Sequence, residues 1–191
     1  MLKKYGHTLP IVIVLPVFIY MMYQAISMTS QQIGIGDDIT NRSYYFTSVE
    51  ISPEIKALAN KLQTVQACLD YVTNIPYKIH NFRARTPLST IKKNHGDCDD
   101  KSNLLSALLS ALGYENYIVL VPRHAFVIVN LKRSLTNKKA LHFNDKSYYI
   151  LESTAKNSPI GYRFKYRTNQ IEAIINPLKK DLLQTGSISY Y

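Results

Sequence analysis

No stretch constrains this chain more than Gly96–Gly113, which reads GDCDDKSNLLSALLSALG. Leu104, Leu105, Leu108, Leu109 and Leu112 recur at the three- and four-residue steps of one apolar helix face. Asp97 or Asp99 can cap the start, because a short carboxylate accepts a hydrogen bond from an amide that the first turn leaves unpaired. Gly113 supplies the left-handed residue that commonly closes a helix, and Ser102, Asn103, Ser106 and Ser110 are expected over much of the opposite face. Cys98 therefore falls at the cap or in the first turn. There the helix dipole favours a thiolate by about 0.3–1 kcal/mol, at most roughly 2, while Asp97, Asp99 and Asp100 act against it. Activating this thiol requires a nearby cation such as an imidazolium.

The chain has 191 residues, 46% of them hydrophobic, and a formal charge of +10. That is enough for one globular domain, argues against disorder, and suits an anionic neighbour such as headgroups, an envelope polymer or an acidic protein. The basic residues are scattered, with a looser cluster over Lys132–Lys139, and no groove-reading motif appears, so nucleic acid is not expected. Leu9–Ile26 is apolar apart from Gln24, near the lower limit for a bilayer span. Lys3 and Lys4 precede it and only Arg42 follows, which predicts a single-pass inner-membrane protein with its C-terminal domain periplasmic. The rival reading is a cleaved signal peptide, since Ala25 and Ser27 have the small-x-small spacing of a cleavage site. The expected organisation is an anchor over 1–27, a linker over 28–49 and a domain over 50–191, its core ending near 167 and residues 168–191 forming an extension.

Ser52-Pro53-Glu54 opens a helix whose buried stripe is Ile55, Leu58, Leu62, Val65, Leu69 and Val72. Cys68 lies beside that stripe as a buried, inert thiol, with a Cys68–Cys98 disulfide as the alternative. Asn74–Asn94 loses its period and reads as a loop with a short helical turn. Strands follow at Tyr117–Val121, Ala125–Leu131 and Tyr148–Leu151, with a long basic loop over Lys132–Asp145. If the last two strands form a hairpin, His124 comes almost opposite Glu152. Tyr162–Arg167 alternates aromatic with cationic residues like an edge strand, and Gln170–Leu183 reads as a weaker amphipathic helix interrupted by Pro177.

A cysteine at a helix start, a histidine at a strand start and an acid at a strand end supply a nucleophile, a base and an orienting group for acyl transfer. A zinc site of His95, Asp97, Cys98 and Asp99 with His124 fits no common ligand spacing, so no metal and no cofactor are expected. His80 and His142 have no spacing argument and are expected on the surface.

Gly96-Asp97-Cys98-Asp99-Asp100-Lys101-Ser102, the leucine helix ending at Leu112-Gly113-Tyr114, His124-Ala125-Phe126 and Leu151-Glu152-Ser153-Thr154 together resemble the transglutaminase-like cysteine superfamily. The resemblance covers about residues 50–165, roughly one domain. It implies an α+β domain of papain-like type, a cysteine-bearing helix packed on a small antiparallel sheet, with Cys98 as nucleophile, His124 as general base and acid, and Glu152 orienting the histidine. Tyr77 matches an upstream aromatic, and Tyr77 and Asp97 are candidates for substrate or oxyanion support. Members include protein crosslinkers, periplasmic cysteine proteases, peptide-amide hydrolases and inactive modules. The chain departs from the pattern at Glu152, where aspartate is usual, and in lacking tryptophan, and both departures point away from glutamine–lysine crosslinking. The implied function is a membrane-anchored hydrolase of protein or peptide amides, with an inactive envelope module as the alternative.

Overall fold

The structure is a computed structural model that describes residues 20, 49–80, 83–179 and 181–191. The anchor or signal expected over Leu9–Ile26 lies outside the described residues, among which no helix is long and apolar enough to cross a membrane.

Over residues 49–191, four α-helices precede a sheet. They are α1 (Pro53–Leu62), α2 (Val65–Asn74), α3 (Pro87–Lys93) and α4 (Cys98–Ala111). The strands are β1 (Asn116–Val121), β2 (His124–Asn130), β3 (Leu141–Phe143), β4 (Lys146–Leu151), β5 (Ala173–Asn176), β6 (Asp181–Leu182) and β7 (Ser189–Tyr190). They pair antiparallel throughout in the order β6-β5-β1-β2-β4-β3-β7. The sheet is thus larger than the small one expected, because the segment after residue 167 contributes three of its strands.

Each sheet face is buried against something different, which is why β1 and β2 read as continuous apolar runs. Leu120, Ala125, Val127, Val129 and Leu151 pack on the helices, with Leu104, Leu105 and Leu108 of α4 opposite. Val119, Phe126, Ile128, Tyr148 and Ile150 form the other face, covered by Phe164 and flanked by Tyr162 and Tyr166. Each α4 leucine taken fully from water contributes about 1.5–3 kcal/mol.

Four sequence expectations are corrected. The helix drawn from Ser52 through Val72 is two helices, because Gln63 turns left-handed (φ 65) and the Thr64 hydroxyl caps a new start at the Ala67 N–H. The face of α4 opposite the leucines carries the small polar residues as read, and it too is covered. Ser102, Asn103 and Ser106 are fully buried, and Ser106 Oγ donates to Asn116 Oδ1 at 2.6 Å. The basic loop contains β3, and the helix expected over Gln170–Leu183 is the β5–β6 hairpin, with Pro177 in its turn. Ile174 and Ile175 are stiff at χ1 and fit a pleated ladder against β1 better than a helix. Finally, Tyr162–Arg167 is not a strand. Gly161 and Tyr162 both donate to Ile150 O (3.0 and 3.1 Å), and the segment crosses the sheet face with Phe164 inward.

Candidate active site

Cys98 is the first residue of α4. Asp97 is the N-cap, its Oδ1 accepting from the Asp100 N–H at 3.3 Å, while Gly113 (φ 80) closes the far end. Just upstream, Tyr77 bridges Gly96 in parallel, with Lys78 N–H on Gly96 O (3.0 Å) and Gly96 N–H on Pro76 O (3.1 Å). The exposed Tyr77 ring is thereby fixed beside the cysteine. Its hydroxyl pKa is raised by burial first, then by the charges of Cys98, Asp97 and Asp99 and a hydrogen bond with Cys98.

The thiol is half-buried, and its pKa is pushed up to about 12. Burial is the main cause and the Asp99 carboxylate the next, with Asp97 adding to it. Sγ lies 3.5 Å from Asp99 Oδ1. One group acts the other way: the backbone N–H of Ala125 donates to the sulfur and lowers the value. This brings the thiol to the start of β2, one residue from His124. The two cysteines are both free, so the alternative of a Cys68–Cys98 disulfide is excluded. Cys68 is fully buried with its thiol raised to about 11 by burial, as expected of an inert residue.

His124 and Glu152 meet at 2.8 Å, Nε2 to Oε2. A carboxylate only accepts, so Nε2 carries the hydrogen and Nδ1 is the ring nitrogen left for other chemistry. The β2–β4 register pairs Val127 with Leu151, which carries Glu152 to the position across from Phe126, diagonal to His124 on the same sheet face. The longer glutamate side chain spans that diagonal, and Thr154 holds its other oxygen, with N–H on Oε1 at 3.0 Å and the hydroxyl on the same atom. Burial raises the Glu152 pKa, but the hydrogen bond and charge of His124 and the two bonds from Thr154 outweigh it, leaving the carboxyl below its ordinary range.

Three supporting features were not legible beforehand. Asp100 is fully buried and accepts from Arg85 N–H (2.6 Å), Arg85 Nη1 (3.0 Å) and His80 Nε2 (2.8 Å). His80 is thus not the surface histidine expected, and it also sits 3.5 Å from Asp97. His80, Asp97 and Asp100 lie close enough to hold a cation, but the Arg85 guanidinium already supplies the countercharge. His95 is turned away from the zinc set considered above, its Nδ1 on Lys93 O at 2.8 Å. Lys101 is 1% exposed, and its ammonium donates to Thr73 O (3.3 Å) and Ser153 O (3.1 Å), joining α2, α4 and the residue after Glu152.

A cysteine at a helix start, close to a histidine at the start of β2 that pairs with a carboxylate just past the end of β4, sits in an α+β fold of helices on an antiparallel sheet. The family model described as the transglutaminase-like superfamily matches residues 49–151, more than half of the chain, and the chain belongs to that superfamily. Among solved structures, a candidate cysteine protease from Cytophaga hutchinsonii aligns with 16% identity and a TM-score of 0.43, over 83% of this chain and 56% of that one. The chain therefore spans little more than half the length of that protein. No curated protein matches the chain.

Proposed function

We propose that this chain is a membrane-anchored, extracytoplasmic cysteine hydrolase that opens a protein or peptide amide through a thioacyl intermediate on Cys98. The observation that carries the reading is the His124–Glu152 pair at 2.8 Å, whose next backbone N–H, that of Ala125, is bonded to the Cys98 sulfur. His124 Nδ1 takes the thiol proton, and the sulfur attacks the amide carbon. The imidazolium, stabilised by Glu152, returns that proton to the leaving amine as the C–N bond breaks. Water or a second amine then attacks the thioester, giving up its proton to His124, and the sulfur departs. Amides of the first turn of α4 and the Tyr77 hydroxyl are the donors proposed for the oxyanion. The membrane anchor rests on the apolar run Leu9–Ile26 and its flanking lysines.

A non-catalytic envelope module is the second reading, and what favours it is the thiol itself, raised to about 12 with acids on either side. The rate of Cys98 alkylation against pH separates the two. In the hydrolase the wild type has a reactive limb near neutral pH that His124→Ala abolishes and Glu152→Gln weakens. An ordinary alkaline profile common to all three proteins removes the catalytic reading.

A further inference from the structure

Beside the histidine–carboxylate pair lies a cleft of about 290 Å³, small even for a ligand pocket and suited to a single residue. Phe126, Ile150 and Phe164 form its apolar part, and His124 and Glu152 are among its lining residues. Its charge is one-sided. Arg123, Arg163 and Lys165 line it, whereas its single carboxylate, Glu152, is already taken by His124 and Thr154. Arg123 stands in the β1–β2 turn with a left-handed backbone (φ 60), and both arginines are exposed. Among the described residues none of these three cations has an ion-pair partner, and the Lys165 ammonium sits over the Tyr162 ring at 5.3 Å. A shallower depression continues the charge along Arg163, Lys165 and Arg167. Tyr166 ties the cleft to the nucleophile: its hydroxyl is raised by burial first, then by the charge of Glu152, with Cys98 adding a smaller push.

We infer that this cleft selects an acidic peptide: an aspartate or glutamate side chain next to the amide presented to Cys98, its carboxylate held by Arg123 and Arg163 and its methylenes on Phe126 and Phe164. Guanidinium groups match a carboxylate in geometry as well as charge. A lysine or arginine side chain entering the same cleft meets three like charges. The inference rests on the hydrolase reading for its amide, but the binding it requires does not need a reactive thiol.

The test uses the full chain carrying Cys98→Ala, in a non-ionic detergent, with fluorescein-labelled hexapeptides of three Gly-Glu, Gly-Gln or Gly-Lys repeats followed by anisotropy. The Gly-Glu peptide is expected to bind at least about tenfold tighter than its Gly-Gln isostere, with the Gly-Lys peptide weakest. Arg123→Gln with Arg163→Gln removes most of that preference, while Lys56→Gln on the exposed side of α1 leaves it intact. Equal binding of the Gly-Glu and Gly-Gln peptides overturns the inference, as does a preference that survives the double substitution. An oligothymidylate of equal charge that binds as tightly, with the same loss on substitution, also overturns it, since the surface would then read charge alone. The alkylation profile of Cys98 is a separate readout. If it lacks the His124-dependent limb while the acidic preference holds, the hydrolase reading falls and the acidic cleft stands.

Discussion

Thr154 and His124 divide the Glu152 carboxylate between them, Thr154 holding Oε1 by its N–H at 3.0 Å and its hydroxyl, His124 holding Oε2 at 2.8 Å. The carboxylate can therefore rotate neither toward solvent nor away from the imidazole without losing a bond on each side. Fixing a side chain from both ends restores the precision that the extra methylene of glutamate would otherwise cost.

Thr154→Val removes the hydroxyl bond and leaves the amide one. The expected loss of stability is about 1 kcal/mol, the usual net worth of one such bond. The more informative change is in Cys98 alkylation, where the neutral-pH limb should weaken toward that of Glu152→Gln. Because the folded Glu152 pKa lies below its ordinary 4.5, its contribution is present above that pH and lost as the pH falls through the folded value. Urea midpoints between about pH 6 and pH 3 should fall less steeply in Glu152→Gln than in the wild type.

Lys101 carries a stability signature of the opposite slope. Burial pushes its ammonium down to about 8 from 10.5, against an upward push from Glu152 and with a further downward one from Lys156. Its unfolded form keeps the proton longer, so the cost of the buried charge is full below about pH 8 and is relieved as the pH rises toward 10.5. Wild type should gain on Lys101→Met over that window in paired urea titrations. The same variant strips Thr73 O and Ser153 O of their donor, so a fall in Cys98 reactivity would mark Lys101 as a positioning residue for the Glu152 turn.

Asp100→Asn should be among the most damaging single changes. It leaves the Arg85 guanidinium and the buried His80 ring without their shared carboxylate, a class of lesion that costs about 3–5 kcal/mol. Gly96→Ala strikes the same point sterically, since a Cβ there would lie 2.7 Å from Asp100 Cβ, and overpacking of this kind costs about 1–3 kcal/mol. Both are read by thermal or urea unfolding.

Cys68→Ala should leave alkylation of Cys98 unchanged and lower stability at neutral pH by about 1–2 kcal/mol through the small cavity. Its thiol is raised from 9.0 to about 11, so folding is favoured below pH 9 and that advantage is lost as the pH rises from 9 toward 11. The variant should therefore lose less stability than wild type in that alkaline range.

The leucine period of α4 was readable because the helix carries its own cap, stripe and glycine stop, all local signals. The same was true of the strands expected over Tyr117–Val121 and Ala125–Leu131, continuous apolar runs that β1 and β2 match closely. The nearness of His124 and Glu152 was readable because strand register needs only residue spacing, and the pairing differed by one diagonal step. What failed was non-local. The Gln63-Thr64 break has no glycine or proline to announce it, and an unbroken apolar stripe ran across it. The β5–β6 hairpin was mistaken because its apolar spacing suits either period and only pairing with β1 decides between them. Lys101, His80 and Arg85 were missed because a buried charge is intelligible only once its partners, 15 to 52 residues away, are in place.

The peptide unit joining His124 to Ala125 contains both the α-carbon that bears the imidazole and the N–H that binds the Cys98 sulfur. Histidine backbone and cysteine sulfur are thus coupled by one rigid plate, which behaves as a hinge pin between helix and strand. A shift of α4 along β2 would therefore move the sulfur away from the amide and from the ring together, and since Leu104, Leu105 and Leu108 pack against the same strand, loosening of that core should be read directly in Cys98 reactivity.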